Sequence, residues 1–469
     1  VVLLGDRLPR LCLISPLLLA LGCGDSAGSN STSDGISVGL SGQDAGTDAT
    51  DEGNDSNSSG TVKLDMGPDE GMLEAGDEGG DDCGGITPPD PDAMLTGFVY
   101  APNLEIPISG ALVYLTDQDP EPIPDEVYCA ECVELPCDAQ FVLTQPNGSF
   151  ALPAVSGPGQ KLVVQKGQFL HVTEFDVVPG NNAVAPVDSS LPGEWNPAAG
   201  HWIPRIAVYS IFNDSIFHLL GKIGLGQVNT NGELIMGTEQ FDILDPYADA
   251  GMLDSLGEMQ NYHIIFIPCM SQQGLGPVTP IRELNIRDWT EAGGKWYVTD
   301  WANEYLYEPF PNYQDFHQAF DPDLGLYESQ GTIVDPDLQA WLAALPAPLE
   351  NIGNGFPTLD SLPSVTFEDN WSGLDALHDI FVQDQNGDQV NVGHHTWVEG
   401  PCGACADPFT VRPMTVSAGY GCGRMMFSTY HTTEYVHAGL TPQELVLLYI
   451  ILEIGVCHGE PPPPPPPIE

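Results

Sequence analysis

At 469 residues, with 12 Lys+Arg against 66 Asp+Glu and a formal net charge of −54, the chain is long enough for several domains and repels polyanions. That balance excludes nucleic acid as a partner and leaves cations and cationic partners open.

The first 22 positions read as a signal peptide. Arg7 and Arg10 give a positive start, and the apolar run "LCLISPLLLALG" is too short to span a bilayer. Gly22 then precedes Cys23. An ordinary signal peptide cleaved nearby would leave Cys23 incidental. The run "LALGC" resembles the lipobox of bacterial lipoproteins, with Ala20 where Leu is commoner. The resemblance implies that Cys23 becomes the mature N-terminus and carries lipid. The protein would then be exported and held at the outer membrane or cell surface, with the membrane as a partner.

Residues 23–92 are dominated by Gly, Ser, Asp, Asn, Thr and Glu, with almost no aromatic residue. Such a stretch buries too little apolar surface to offset its chain entropy, so a disordered acidic tether is expected. Self-repulsion would extend it and hold the folded part away from a membrane.

Residues 93–190 change texture to alternating apolar positions broken by Gly, Pro and Asn, which predicts a small all-β sandwich. Asn147-Gly148 is a hairpin signal. The order "GFVYAPNLEIPISGALVYL", "NGSFALPAV" and "KLVVQKGQFLHVTEF" resembles the carboxypeptidase regulatory-like, transthyretin-like domain, through Gly97, Val99, Gly110, Ala111, Val113, Gly148 and Phe150. The resemblance implies a non-catalytic accessory module, sometimes linked to carbohydrate or protein binding. Inserted here are Cys129, Cys132 and Cys137. In an exported chain they predict disulfides, with Cys83 as a fourth member. Zinc is the alternative, although the run offers three thiols and no histidine.

Residues 203–458 alternate apolar strands with helical patterns, predicting an α/β domain with a mostly parallel sheet. "RIAVYS" is a first strand and "DSIFHLLGKIGLG" a helix capped by Asp214; "YHIIFIPCMSQ" is a central parallel strand. "PIRELNIRDWTEAGG" is a helix ending at Gly293, "KWYVTD" and "GRMMFSTYH" are strands, and "TPQELVLLYIILEIG" is a helix with Thr441 at its cap. This series resembles the class I glutamine amidotransferase-like, flavodoxin-type fold, including its ThuA-like branch. The stretch 307–423 carries no part of that resemblance.

The resemblance implies a cysteine nucleophile in a glycine-flanked elbow after the Gly-Gly strand. Here that turn reads Thr299-Asp300-Trp301-Ala302-Asn303, with neither Cys nor Ser at its apex. Asp300 is expected to cap the following helix rather than to act as a base. Cys269 lies at the carboxyl end of a strand, the face on which open α/β sheets bind ligands, but one strand too early; a buried thiol or disulfide half is expected. The family's histidine and acid correspond to His431 and Glu434, one residue further apart than the pattern. A rearranged site would join His431 to Asp300 and Glu304 around one cleft.

His394 and His395 precede Cys402 and Cys405. Adjacent strand histidines face opposite sides, so disulfides among Cys402, Cys405, Cys422 and Cys457 are expected over a metal site. Setting aside Cys12 and Cys23 leaves nine of the 11 cysteines, an odd number, so at least one stays free or pairs between chains. "DQNGDQ" at 384–389 reads as a hairpin turn, and the seven prolines in 459–469 as a polyproline II tail.

Together these features predict a lipid-anchored envelope protein with a non-catalytic binding or scaffolding role for glycan or protein, without cofactor or metal. The competing expectation is a hydrolase built from His431, Asp300 and Cys269, and a third is metal-dependent carbohydrate chemistry.

Overall fold

The computed structural model describes residues 61–63, 88–130, 133–211, 214–270, 272–317, 324–384, 387, 389–453 and 464. The leader, Cys23, Cys83, Cys132, Cys457 and all of the proline tail but residue 464 lie outside the described residues. The described chain is multidomain, with several sheets, both parallel and antiparallel.

The first layers are β-sheets. Strands β1 (Ala93–Phe98), β2 (Leu112–Thr116), β3 (Phe141–Leu143), β4 (Ser149–Ala154), β5 (Gly157–Lys166), β6 (Phe169–Val177), β7 (Gly180–Ala183) and β8 (His201–Trp202) form two sheets, ordered β8-β6-β5-β2-β3 and β4-β1-β7. Alternate positions point inward, so Leu95, Val113, Phe150, Leu152, Leu162 and Val164 share one core. Asn147-Gly148 does turn the chain, with Gly148 at φ +77°, but the flanking β3 and β4 lie in different sheets. The expected hairpin is therefore a crossing from one layer to the other. Within the stretch expected to be a disordered acidic tether, Thr61–Lys63 pairs antiparallel with Glu134–Pro136; Thr and Val at its start are strand formers.

The second body is a nine-stranded sheet. Its strands are β9 (Ile206–Tyr209), β10 (Asp242–Leu244), β11 (Ile264–Ile267), β12 (Lys295–Thr299), β13 (Tyr327–Ile333), β14 (Ser364–Asn370), β15 (His395–Pro401), β16 (Val411–Tyr420) and β17 (Gly423–Ser428), in the order β10-β9-β11-β12-β17-β16-β15-β13-β14. The first five strands in that order are mutually parallel. The remaining pairings are all antiparallel. The expected mostly parallel sheet is thus half antiparallel, because 307–423 adds four strands to one edge.

Strands β11 and β12 are buried at every position, as central parallel strands must be when helices cover both faces. Helix α1 (Ile216–Leu220) follows β9. Helix α2 (Pro280–Glu291) starts at Thr279, whose hydroxyl accepts from Arg282 N, and ends at the Gly-Gly pair. Gly293 adopts φ +119°, and a Cβ on Gly294 would stand 2.3 Å from the Trp289 ring. The glycines let helix α2 lie directly on the edge of β12. Helix α3 (Pro336–Ala343) carries Trp341, which packs on Tyr449 of α4 (Pro442–Glu453). Apart from its last residue, α4 is buried all round and serves as a core helix. No helix among the described residues is long and apolar enough to cross a membrane.

Candidate functional site

Parallel strands deliver their carboxyl ends to one edge, and the strand order reverses between β9 and β11, which opens a crevice there. Cys269 follows β11, Asp300 follows β12 directly, and His431 follows β17. Cys269 Sγ, a ring nitrogen of His431 and a carboxylate oxygen of Asp300 lie within 4.8 Å of one another. All three residues are closed to solvent, with 1 %, 0 % and 0 % of their surface exposed. The three candidates scattered over 163 positions of sequence (269 to 431) therefore meet in one cluster.

Asp300 is not the helix cap expected of it. The turn Asp300–Ala302 has no side-chain cap. Instead Asp300 Oδ1 accepts from Trp371 N at 2.8 Å, and Oδ2 is hydrogen-bonded to His431 Nδ1 at 2.8 Å. Its backbone sits at φ +51°, a left-handed conformation that Asp tolerates better than most residues. The strained shape of an elbow is thus present without the flanking glycines.

Asp214 likewise does not cap α1, whose N-cap is Ser215. Its Oδ2 accepts from Cys269 N at 3.1 Å and from Thr299 Oγ1 at 2.7 Å. Its Oδ1 accepts from Thr432 N at 3.3 Å and Thr432 Oγ1 at 2.6 Å. One buried carboxylate ties the ends of β11, β12 and β17 to the segment after β9.

Burial, partly offset by His431, pushes the Cys269 thiol up to about 11, so it is protonated at neutral pH. Burial also pushes Asp300 up to about 7, against the His431 hydrogen bond that favours its charge. For His431 burial opposes the charge, but its interactions with Cys269 and the Asp300 carboxylate overcome it, and its proton affinity rises well above the ordinary value. His431 Nε2 has no hydrogen-bond partner; Glu434 Oε1 is 3.8 Å away, beyond bonding length. The neighbouring His431 ring holds the Glu434 carboxyl below its usual range.

Glu304, buried beside this turn with Oε1 unpartnered, is pushed up to about 7 by burial. Asn303 donates through Nδ2 to Ser372 Oγ at 2.9 Å. At the rim, half-buried Trp301 and Trp371 stack with centroids 6.0 Å apart and planes 15° apart. Asp369 lies close to Glu434 and His431, and burial raises its carboxyl.

The disulfides differ from the local pairings expected. Cys129 bonds Cys422 across 293 residues, instead of joining Cys83, Cys132 or Cys137. Tertiary packing explains this: Gly293 lies against the Tyr128 carbonyl, while Cys422 N donates to Glu291 O at 3.0 Å. Both cysteines meet at the α2–β12 turn, and zinc at Cys129 is ruled out by its oxidation. Cys402 bonds Cys405 as expected, Cys137 is disulfide-bonded, and Cys269 is the free cysteine among the described residues. His394 turns to Gln314 Oε1 at 2.7 Å and His395 to Asp335 Oδ2 at 3.1 Å, on separate partners as adjacent strand residues should be. Phe381–Gln383 pairs antiparallel with Gln389–Asn391, closing the hairpin at "DQNGDQ". An open groove of about 1070 Å³ lies on the sandwich, lined by Pro120, Pro122, Tyr128 and Gln160, and does not reach the cluster.

No family model matches the chain, and no curated protein matches it. Among solved structures, a ThuA-like protein from Bacteroides uniformis is similar at 12% identity and TM-score 0.32, over 53% of this chain and 89% of that one. A carbohydrate-binding protein from Bacteroides uniformis is similar at 13% identity and TM-score 0.15, over 22% of this chain and 41% of that one. A beta-galactosidase from Bacillus circulans sp. alkalophilus is similar at 11% identity and TM-score 0.26, over 54% of this chain and 30% of that one. These likenesses are too distant to carry a functional argument, which rests on the residues alone.

Proposed function

We propose that the chain is a cell-envelope lipoprotein whose folded part binds glycan without turning it over. The observation that carries the reading is the contrast at the crevice between a sealed centre and an accessible rim. The thiol that would attack a substrate is buried and protonated, so no reacting atom reaches it in this conformation. Outside it, the Trp301–Trp371 pair offers ring faces suited to the C–H faces of a sugar, and Asp369 and Glu434 offer acceptors for hydroxyls. Export and lipidation at Cys23 rest on the Leu21-Gly22-Cys23 signature, and the Cys129–Cys422 and Cys402–Cys405 disulfides suit an oxidising compartment.

A glycan array probed with the full chain tests the binding reading. The expected result is retention of at least one glycan class, weakened about tenfold or more by Trp301→Ala or Trp371→Ala. A silent array, combined with ester or amide hydrolysis abolished by Cys269→Ser, would replace this reading with the hydrolase. Selective capture of an envelope protein instead would make the partner a protein. Labelled palmitate should enter the wild type and not Cys23→Ala.

The hydrolase is kept as a second reading on one observation: Cys269, His431 and Asp300 do converge. It requires an opening that exposes the thiol.

A further inference from the structure

We propose that the Cys269–His431–Asp300 cluster is a binding site for a zinc-class divalent cation. The proposal is independent of whether the rim binds glycan.

A sulfur and an imidazole nitrogen suited to such an ion converge there, with a carboxylate oxygen within 4.8 Å of both. Bonds of about 2.0–2.3 Å around a tetrahedral zinc place its ligand atoms roughly 3.3–3.8 Å apart, so Cys269 and His431 need only a small inward shift while Asp300 keeps its place on Nδ1. The second observation concerns the imidazole. His431 is fully buried, Asp300 occupies its Nδ1, and Nε2 is left without any hydrogen-bond partner. A buried polar atom without a partner is costly, and a cation would satisfy it. A carboxylate on the far nitrogen of a ligating histidine fixes the ring and raises its basicity, the relation Asp300 has to His431. Glu434 Oε1, 3.8 Å from Nε2 on a side chain one-third exposed, supplies a further donor on the solvent side.

The donor set selects the ion. Sulfur and imidazole favour zinc, cobalt(II) or a similar transition ion over calcium and magnesium, which prefer oxygen cages. Binding replaces the Cys269 S–H bond with a sulfur–metal bond and releases one proton to solvent. The ion would fasten the ends of β11, β12 and β17, which Asp214 already ties together from the opposite side.

The test uses the full chain, stripped with chelator and titrated with cobalt(II), whose thiolate charge-transfer absorption reports sulfur ligation. The expected result is one equivalent bound with that absorption, retained in excess calcium and lost in Cys269→Ser. Glu434→Gln, on a partly exposed side chain, should weaken binding tenfold or more. The wild type is also read by proton NMR, which does not depend on the folding of Cys269→Ser. Hyperfine-shifted signals from a single histidine ring and a single cysteine are expected. Cobalt displaced by calcium, binding without the sulfur absorption, absorption that persists in Cys269→Ser, or unchanged affinity in Glu434→Gln each overturns the assignment.

Discussion

The two halves of the nine-stranded sheet were built from different kinds of sequence. Strands β9 and β11 are continuous apolar runs, β12 and β17 hold apolar runs between polar ends, and β9, β11 and β12 are buried at every position. Strands β13 and β14 alternate buried with more exposed positions, and β13 reads "YESQGTI". A parallel strand covered on both faces must be apolar throughout, whereas an antiparallel edge strand needs only one apolar face. The difference teaches where function is anchored. The parallel half supplies Cys269, Asp300 and His431, and the antiparallel half supplies the Trp371 amide and Ser372 hydroxyl that hold the Asp300 turn.

The comparison can be broken most forcefully by emptying one core position in each half. Trp296→Ala in the parallel half and Trp397→Ala in the antiparallel half each remove a buried ring and an indole hydrogen bond, to Tyr305 O at 2.8 Å and to Ser417 Oγ at 2.9 Å. Each should cost about 3–5 kcal/mol in denaturant unfolding. A single transition in both variants is expected; a separate early transition in Trp397→Ala would show that the added strands unfold as their own unit.

The seam between the halves is the β16–β17 turn, which Cys422 ties to Cys129. Replacing both cysteines by alanine should lower stability by about 2–5 kcal/mol. The loss should appear in nonreducing conditions and vanish when the wild type is compared after reduction.

Protonation gives a finer probe of the site's floor. Glu304 titrates near its ordinary value when unfolded but at about 7 in the fold, chiefly through burial. Between those values the folded protein keeps a proton that the unfolded chain releases, so stability falls as pH rises from about 4.5 to about 7. The contribution is on the order of 3 kcal/mol. Asp300, also pushed up to about 7, adds the same sign. Glu304→Gln should flatten, without abolishing, the decline in Tm between pH 5 and pH 7.5; an unchanged decline would mean that Glu304 ionises freely.

The smallest effect expected is at the start of α2. Thr279→Ala removes the hydroxyl that accepts from Arg282 N and should cost about 1 kcal/mol by thermal unfolding, with the cluster unaffected.

Much of the parallel half was legible in sequence. The runs "HIIFIPC", "KWYVTD" and "GRMMFSTYH" are strands, and Thr441 N-terminal to Pro442 does precede the last helix. The Gly293-Gly294 pair was legible as a helix end, though its reasons, a left-handed φ and the Trp289 ring, are tertiary. The antiparallel half was missed because its polar-alternating strands are broken by loops and local hairpins.

Sequence alone determined which residue types stood at the strand ends, because apolar runs specify buried parallel strands and the residue after each run must fall at the carboxyl edge. It also set the charge and the Cys23 signature. Tertiary structure decided what those residues do. Asp300 and Asp214 both looked like helix caps, a local role readable from a few neighbours. Each instead bonds to groups far away in sequence: Trp371 and His431 for one, Cys269, Thr299 and Thr432 for the other. A carboxylate has several acceptor sites and no local constraint on who fills them. Only the packing of distant strand ends could assign its partners, and the same packing joined Cys129 to Cys422.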